Sequence, residues 1–357
     1  MDWHAGMSQT YELIKIDGST WLETEKVQTL SECSITYEDE GLRYSVTASV
    51  DEELDPGYYR IYLIAEQGDD KQRVALATFL SEIDTWEGDG KRITYKIEGY
   101  SPLKELEDTM PAIGWAAVGN VVEIVSDIVD NYCRAPLSAE ATDVTVSDWV
   151  AEEDETWLDV IEALLALADM HLEVDSTGRV LLKADADNTL LSAAYTFSDD
   201  NSELQSILMP DVSIDTDYSS TPNRCEVVYS DDDVSYIGIA ENNDENSAVS
   251  IPNRGRTVLY RETSPDVSSD TVSQSVINAL AVSLLTEQTA QTVTQTYSHG
   301  YTPDVQIGTC VRLDYQAMSY SQKAVVTKQV LDCQTGLTVE ETAEYTISSA
   351  TIENVDE

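Results

Sequence analysis

The sequence predicts a β-rich α+β protein in which two β regions of similar texture, read as two related β-barrels, are interrupted by helical segments. Three observations lead there. Apolar and polar residues alternate with period 2 through residues 11–100 and again through 293–352, with Gly- or Asp-containing turns about every 8–12 residues. Three other stretches carry apolar residues at helical spacing. Hydrophobic residues make up 42% of the 357, ordinary for a globular chain and enough for a sizeable core.

Tyr11–Ile16 reads as a strand ending in an Asp17-Gly18 turn, and Tyr58–Ala65 as a strand rich in Tyr and Ile. Ile35–Tyr37 and Leu42–Val50 flank a turn at Glu38–Gly41, with Leu42, Tyr44, Val46 and Ala48 in alternation. Val74–Leu80, a turn at Gly88-Asp89-Gly90 and Ile93–Tyr100 predict a long hairpin. The texture changes at Pro102. Pro102–Met110 predicts a short helix, and Val118–Tyr132 a longer one with Val118, Val121, Val122, Val125, Ile128 and Val129 at helical spacing. Glu152–Glu155 forms an acidic first turn, favoured by the helix dipole. The helix it opens runs through Trp157, Leu158, Ile161, Leu164, Leu165 and Ala168 and ends at His171. A hairpin follows, Leu172–Val174 and Val180–Leu182 about Asp175-Ser176-Thr177-Gly178.

Strands return at Leu190–Phe197 and Cys225–Tyr229, while Asp231–Asp233 and Glu241–Ser247 read as loops. Ser264-Pro265 precedes a helix carrying Val272, Val276, Ile277, Leu280, Leu284 and Leu285. Thr292–Tyr297, Cys310–Tyr315, Ala324–Leu331 and Leu337–Ile347 complete the strands, with a turn at Gln334-Thr335-Gly336. The expected domains are a first β-barrel at 1–100, an α+β insertion at 101–190, a second β-barrel at 191–240 with 293–357, and a helical insertion at 241–292.

The charge narrows the function. Asp and Glu number 67 against 20 Lys and Arg, a formal net charge of −47, and no Lys occurs between Lys183 and Lys323. Such a balance repels nucleic acid and anionic membranes. It suits a solvated surface, a cation-rich medium, or a lumen through which an anion slides without adhering; a salt-adapted host would give the same composition. No apolar run approaches the ~20 residues that cross a membrane, so direct membrane insertion is not expected. The N-terminus lacks the basic and apolar regions of a signal peptide. Cys33, Cys133, Cys225, Cys310 and Cys333 are widely spaced and odd in number, which predicts reduced, mostly buried thiols rather than a disulfide framework or a zinc site.

Residues that could carry chemistry are few. His4, His171 and His299 are the only histidines, and each reads as structural or superficial. No G-x-S-x-G, phosphate-binding loop or H-E-x-x-H is present. Carboxylates are so abundant that no pair stands out as a glycosidase acid and nucleophile. Asp231-Asp232-Asp233 lacks the spacing of a calcium loop and reads as a solvated turn. Of Trp86, Trp115, Trp149 and Trp157, the last lies on an apolar helical face and reads as core, while Trp86 and Trp115 are candidates for a contact surface. No catalytic, cofactor-binding or metal-binding residue, and no cofactor, is expected.

Four segments in order resemble the tail-tip hub, or baseplate hub, proteins of tailed phages, which share a fold with the N-terminal region of the type VI secretion spike. Arg60–Leu63, Val74-Ala75-Leu76-Ala77-Thr78-Phe79-Leu80 and Arg92–Tyr100 are similar to that family's V-x-L-G-T-F and V-x-G-Y-D strands, with Ala77 where Gly is usual and Ser101 where Asp is usual. Thr156–Leu165 with Asp175–Arg179 is similar to its S-W-L-x-x-I-N-x-L-L and D-x-x-G element. Thr221–Val228 resembles its P-N-R-V-x-V strand. Pro303–Leu313 resembles its P-x-L-x-x-G-D-x-V entry, with Thr309 in place of Asp. Together they span roughly residues 60–350.

The resemblance implies two tube-type barrels per chain and a homotrimer forming a pseudo-sixfold ring that docks on a hexameric distal tail-tube protein. The implied neighbours are that tube hexamer, the tape measure protein, and tail fibre or receptor-binding proteins. DNA would pass without specific binding, kept from the walls by their charge. Expected localisation is the virion tail tip, after assembly in the host cytoplasm. The chain ends at Asn354-Val355-Asp356-Glu357 just past the second barrel, so any peptidase or lysin activity is expected on other proteins. The alternatives are a surface-displayed β-rich glycan-binding adhesin and an acidic glycoside hydrolase.

Overall fold

The computed structural model describes residues 1–357 apart from 31, 89, 92, 186–190, 203–204, 217, 232–233, 264, 266, 268–271, 348–351 and 355–357. Asp89 of the Gly88–Gly90 turn, Arg92, Leu190, Asp232, Asp233, Ser264, Val355, Asp356 and Glu357, all used above, lie outside the described residues.

The first part of the chain forms strands β1 (Ser8–Ile16), β2 (Glu23–Leu30), β3 (Cys33–Glu38), β4 (Tyr44–Val50), β5 (Gly57–Gln67), β6 (Asp70–Gly88) and β7 (Ile93–Tyr100). There follow α1 (Lys104–Glu107), β8 (Ala116–Asn120), α2 (Val121–Tyr132), β9 (Leu137–Ala139), β10 (Thr145–Val150), α3 (Trp157–Ala166), β11 (Met170–Val174) and β12 (Val180–Ala184). Next are β13 (Tyr195–Ser198), β14 (Leu208–Thr216), β15 (Arg224–Ser230), β16 (Ser235–Asn242), α4 (Ile251–Arg254), β17 (Leu259–Glu262) and α5 (Gln274–Thr289). Last come β18 (Gln291–Gly300), β19 (Cys310–Tyr315), β20 (Tyr320–Cys333), β21 (Thr338–Ile347) and β22 (Ile352–Asn354). The β-rich α+β class expected from the alternation is the class observed.

Contacts divide the chain into two units, Met1–Val212 with Thr296–Ala343, and Ser213–Gln295 with Glu344–Glu357. In the first, the amino-terminal and carboxy-terminal strands share one sheet. Its path runs β21-β20-β3-β4-β7-β6-β5-β1-β2, and β19 also pairs with β20 and with β13. The join is the antiparallel β20–β3 pair, from Lys328 opposite Glu38 to Cys333 opposite Cys33. Alternating inward residues explain why these segments are strands: Val46, Ala48 and Val50 on β4 are buried while their neighbours are not. The same core takes in Val121, Val125 and Val129 of α2, six buried side chains of α3, and Leu172 and Leu182 of the β11–β12 hairpin. Each such aliphatic side chain contributes about 1.5–3 kcal/mol through burial.

In the second unit β17-β15-β16-β22 form a four-stranded sheet. Helix α5 packs on it, with Ile277, Ala281 and Leu285 against Cys225, Val227 and Ala240. Gly238 on β16 allows this approach, because a Cβ there would lie 2.5 Å from the Ile277 carbonyl oxygen.

Several boundaries differ from the sequence reading for identifiable reasons. The helix expected from Val118 starts at Val121. Gly119 takes φ +126° and Asn120 caps the helix by accepting from the Glu123 amide, so Ala116–Asn120 is left to pair with β10 as a strand. Helix α3 stops at Ala166, and the left-handed Asp169 turns the chain so that His171 lies on β11 instead of ending the helix. Strand β2 was not foreseen: it is polar, mostly exposed and at the edge of the sheet, where one hydrophobic row is not required. Strand β16 reaches Asn242, into the segment read as a loop from Glu241.

Candidate assembly surface

Two of the segments that carry the family resemblance meet in space within the first unit, and each of the four does a definable structural job. Arg60 is buried on β5. It donates from Nε to Thr78 Oγ1 (2.6 Å), from Nη1 to the Tyr62 hydroxyl (3.2 Å) and from Nη2 to the Thr177 carbonyl (2.8 Å). The Thr78 hydroxyl donates to the Ser176 carbonyl (3.0 Å), and the Trp21 indole N–H to that of Thr177 (2.8 Å). The Asp175–Gly178 turn is thus clamped onto the first β region. Gly178 takes φ +76°, and a Cβ there would fall 2.8 Å from Trp21 and 2.9 Å from Thr78. A second clamp, Arg43 from the β3–β4 turn, donates to the Leu172 carbonyl and to Glu162 Oε1, both at 2.8 Å.

The remaining motif positions are caps and turns. Thr156 caps α3 in a reciprocal box with Asp159. In the second unit buried Asn223 donates to the Val249 and Arg256 carbonyls, both 3.0 Å, and accepts from the Val258 amide (2.7 Å). Gly308 takes φ +79° in the turn closed by the Thr309 amide on the Gln306 carbonyl. Thr309 Oγ1 accepts from the Gln306 amide, which an Asp carboxylate could equally do. Ser101 Oγ likewise accepts from the Leu103 amide at the start of α1. At Ala77 the β5–β6 register slips, Ile61 facing Ala77 and Tyr62 facing Ala75. Ala77 keeps a negative φ, so glycine is not needed there.

One buried polar group escaped the sequence reading. Glu341 Oε1 accepts from Gln329 Nε2 (2.6 Å) and Oε2 accepts from the Tyr297 hydroxyl. His299 Nε2 lies 3.1 Å from Glu341 Oε1, and its Nδ1 is 2.7 Å from the Gly300 carbonyl. Burial, with the Glu341 charge next, pushes the Tyr297 phenol far above its usual value. Period 2 was the available signal, since Glu341 shares its row of β21 with buried Val339 and Ala343. The other histidines are less enclosed. His4 contacts the Gln205 carbonyl and the Tyr195 hydroxyl, and His171 sits between Glu173 and Asp185. All five cysteines are free and buried. Burial raises the Cys133 thiol to about 12 and the Cys225 thiol to about 11.

Two surface features of the first unit remain. β5 pairs β6 only as far as Ser81, and β4 pairs β7 only from Tyr95. Beyond the Val50–Tyr95 pair, β6 and β7 continue as a short two-stranded ribbon, Glu87 opposite Thr94 and Gly88 opposite Ile93. Its register puts Trp86, Tyr95 and Ile93 on one face, with Trp86 66% and Ile93 48% exposed. The second is a surface groove of about 300 Å³ between β8 and α2. Trp157 lies buried in its floor, stacked on Tyr132 (ring centroids 4.8 Å) and met edge-on by Trp115 (5.0 Å). Trp86 is therefore on a surface, whereas Trp115 is a half-buried wall braced by Trp149.

No protein-family model matches this sequence, and no curated protein does. Solved structures do. The tail protein of Neisseria meningitidis MC58 superposes with a TM-score of 0.62 at 10% identity, over 94% of this chain and 96% of that one. The 43 kDa tail protein of prophage MuSo2 from Shewanella oneidensis gives 0.62 at 11% identity, over 94% and 98%. The chain has the fold of phage tail proteins. A chain of the Francisella PdpA–VgrG complex matches at 0.59 and 10% identity, over 97% of this chain and 60% of its own. The fold expected from the four segments is the fold these neighbours share.

Proposed function

We propose that this chain is a structural hub subunit of a phage tail tip, without catalytic activity. Three copies form a pseudo-sixfold ring that continues the tail tube and lets DNA pass. The two barrels are the β regions at 1–100 and at 191–240 with 293–357, and 101–190 and 241–292 are inserted in them. The observation that carries this reading is the match in fold to two tail proteins along nearly the whole of both chains. The β20–β3 pair supports it, because a wall built from both β regions needs their strands to run on as one sheet. The resembling segments also serve as clamps, caps and turns, which is what a purely architectural subunit requires. The tube hexamer, tape measure protein and fibre or receptor-binding proteins are the proposed neighbours, and the acidic walls keep the DNA backbone from adhering.

Copies bearing −47 each must assemble against their mutual repulsion. The Debye length falls from about 10 Å at 0.1 M to about 3 Å at 1 M salt, so trimer should grow with ionic strength. Native mass and negative-stain imaging across that range test the proposal, with and without a hexameric tube protein. A trimeric ring with a central hole is expected; a chain that stays monomeric at high salt and with the tube protein present refutes it.

A further inference from the structure

We propose that Cys33 and Cys333 form a disulfide site: a dithiol in a reducing compartment that closes, in an oxidising medium, into a staple between the amino-terminal and carboxy-terminal strands of the first unit. The register sets the two residues face to face, as the last pair of the antiparallel β20–β3 join. Directly opposed residues of a sheet point to the same side. Here that side is the inward one, since Cys33 shares its row with buried Ile35 and Cys333 with buried Leu331. The Asp39 amide donates to the Thr327 carbonyl. Alternation along the ladder from that bond makes Cys33–Cys333 a hydrogen-bonded pair, with Cα atoms about 5.5 Å apart. A disulfide spans roughly 4.4–6.8 Å between Cα atoms, so the backbone already has the required spacing. The Cys333 thiol is pushed far up, first by its hydrogen bond to the Cys33 thiol and then by burial, and that hydrogen bond puts the two sulfurs in contact.

The other three cysteines are placed differently. Cys225 faces Ala240 and Tyr260 on its neighbouring strands, and Cys310 faces Val325. Cys133 follows α2 with its thiol on the Pro102 carbonyl (3.5 Å). Spacing in the sequence hides the Cys33–Cys333 pair, because its members lie nearly the whole chain apart. That separation is also what makes the bond effective: the longer the loop a disulfide closes, the more freedom it takes from the unfolded chain. Glutathione disulfide is a sufficient oxidant. One Cys thiolate attacks a glutathione sulfur, forming a mixed disulfide and releasing a glutathione thiolate; the second Cys thiolate attacks the first Cys sulfur and releases the other. The two protons lost by the protein thiols end on the two glutathione thiolates, so one disulfide is reduced as one is made. The thiolate is the nucleophile and burial disfavours it, so exchange runs through opening of the strand ends beside the Gln334–Gly336 turn. Facing Cβ atoms lie about 4.5–5.5 Å apart and must close to about 3.5–4.5 Å. The bond therefore carries strain and is readily reopened by a thiol reductant.

The test incubates the full reduced chain with glutathione disulfide at pH 8, with and without urea below the unfolding transition. Remaining thiols are then blocked and the peptides mapped by mass spectrometry. A single link within the chain, from Cys33 to Cys333, is expected, and dithiothreitol should reverse it. The oxidised chain should melt about 4–16 °C above the reduced one. Cys33→Ser and Cys333→Ser should each abolish both the link and the oxidant-dependent shift, whereas Cys225→Ser should keep both. A chain that stays reduced under both conditions overturns the proposal. So does a link to any other cysteine, a link between copies, or a Cys33–Cys333 bond that leaves the Tm unchanged. The unsubstituted chain alone decides these outcomes, so a variant that fails to fold does not blunt the test.

Discussion

Gly99 lies on β7 opposite Ser81 of β6 and Val46 of β4, in the Ile97-Glu98-Gly99-Tyr100 stretch singled out in the sequence. A Cβ at this position would sit 2.1 Å from Phe79 Cδ2, 2.9 Å from Cε2 and 3.0 Å from the Leu80 carbonyl oxygen. Carbon atoms pack at about 3.5–4.0 Å, so Gly99→Ala drives the Phe79 ring well over an ångström from its place. That ring is fully buried and packs against Tyr59, with centroids 6.1 Å apart. Overpacking of this kind costs about 1–3 kcal/mol and an off-rotamer ring about 0.5–1.5 kcal/mol. The gain from removing a glycine offsets about 0.5–1 kcal/mol. The net expectation is a loss of about 0.5–4 kcal/mol. At roughly 2–4 °C per kcal/mol for a unit of this size, the Tm falls by about 1–16 °C. Thermal unfolding followed by circular dichroism reads it. The cause is isolated by Phe79→Leu, which should cost stability alone yet recover part of it in the Gly99→Ala background, with a coupling of about 0.5–3 kcal/mol. An unchanged Tm in Gly99→Ala, or losses that simply add in the double variant, would refute the steric account.

Asn223→Leu leaves two carbonyls and one amide of the second unit without their side-chain partner, and should cost about 3–5 kcal/mol, seen as faster proteolysis within 213–295. Thr156→Ala removes the α3 cap and should cost about 0.5–2 kcal/mol in denaturant unfolding. His171 has its pKa raised, chiefly by its hydrogen bond to Glu173 and then by Asp185. A group raised on folding stabilises fully below its unfolded value near 6.5 and loses that contribution as pH rises through the higher folded value. Its NMR titration should therefore lie above 6.5 and fall part of the way back in Glu173→Gln, with Asp185 still raising it. The five thiols should resist alkylation in the folded chain at pH 8 and react fully in denaturant, since all are buried and burial raises Cys133 and Cys225.

Strands with a buried row, such as Leu42–Val50, were legible in the sequence because one face meets the core. β2 was not, because an edge strand with both faces mostly wet carries no such row. Helix α3 was legible in its apolar positions but not at its end, which depends on a left-handed turn at Asp169 that no glycine announces. The surface reading divides in the same way. Trp86 could be suspected from its place beside a turn, and it is exposed. The groove could not be suspected, because its floor joins Trp115, Tyr132 and Trp157 from a loop and two helices only after folding. Glu341 was obscured by the abundance of carboxylates, although its row on β21 marks it as inward-facing.

The three departures from the family pattern explain how this fold is shared at about 10% identity. Thr309 and Ser101 stand where Asp is usual, and in each case a side-chain oxygen accepts from a backbone amide two or three residues away. The geometry asks for a short side chain with an acceptor, not for a carboxylate. Ala77 stands where Gly is usual, in a bulge whose φ stays negative. Where the backbone does require glycine, at Gly178 and Gly308 with positive φ, or where a ring abuts the strand, at Gly99, glycine is present. What these positions preserve is turn geometry, capping and close approach, each satisfied by two or three residue types. A fold whose joins ask only for these geometries can exchange nearly every other side chain, including enough residues to reach −47, provided those few joins are met.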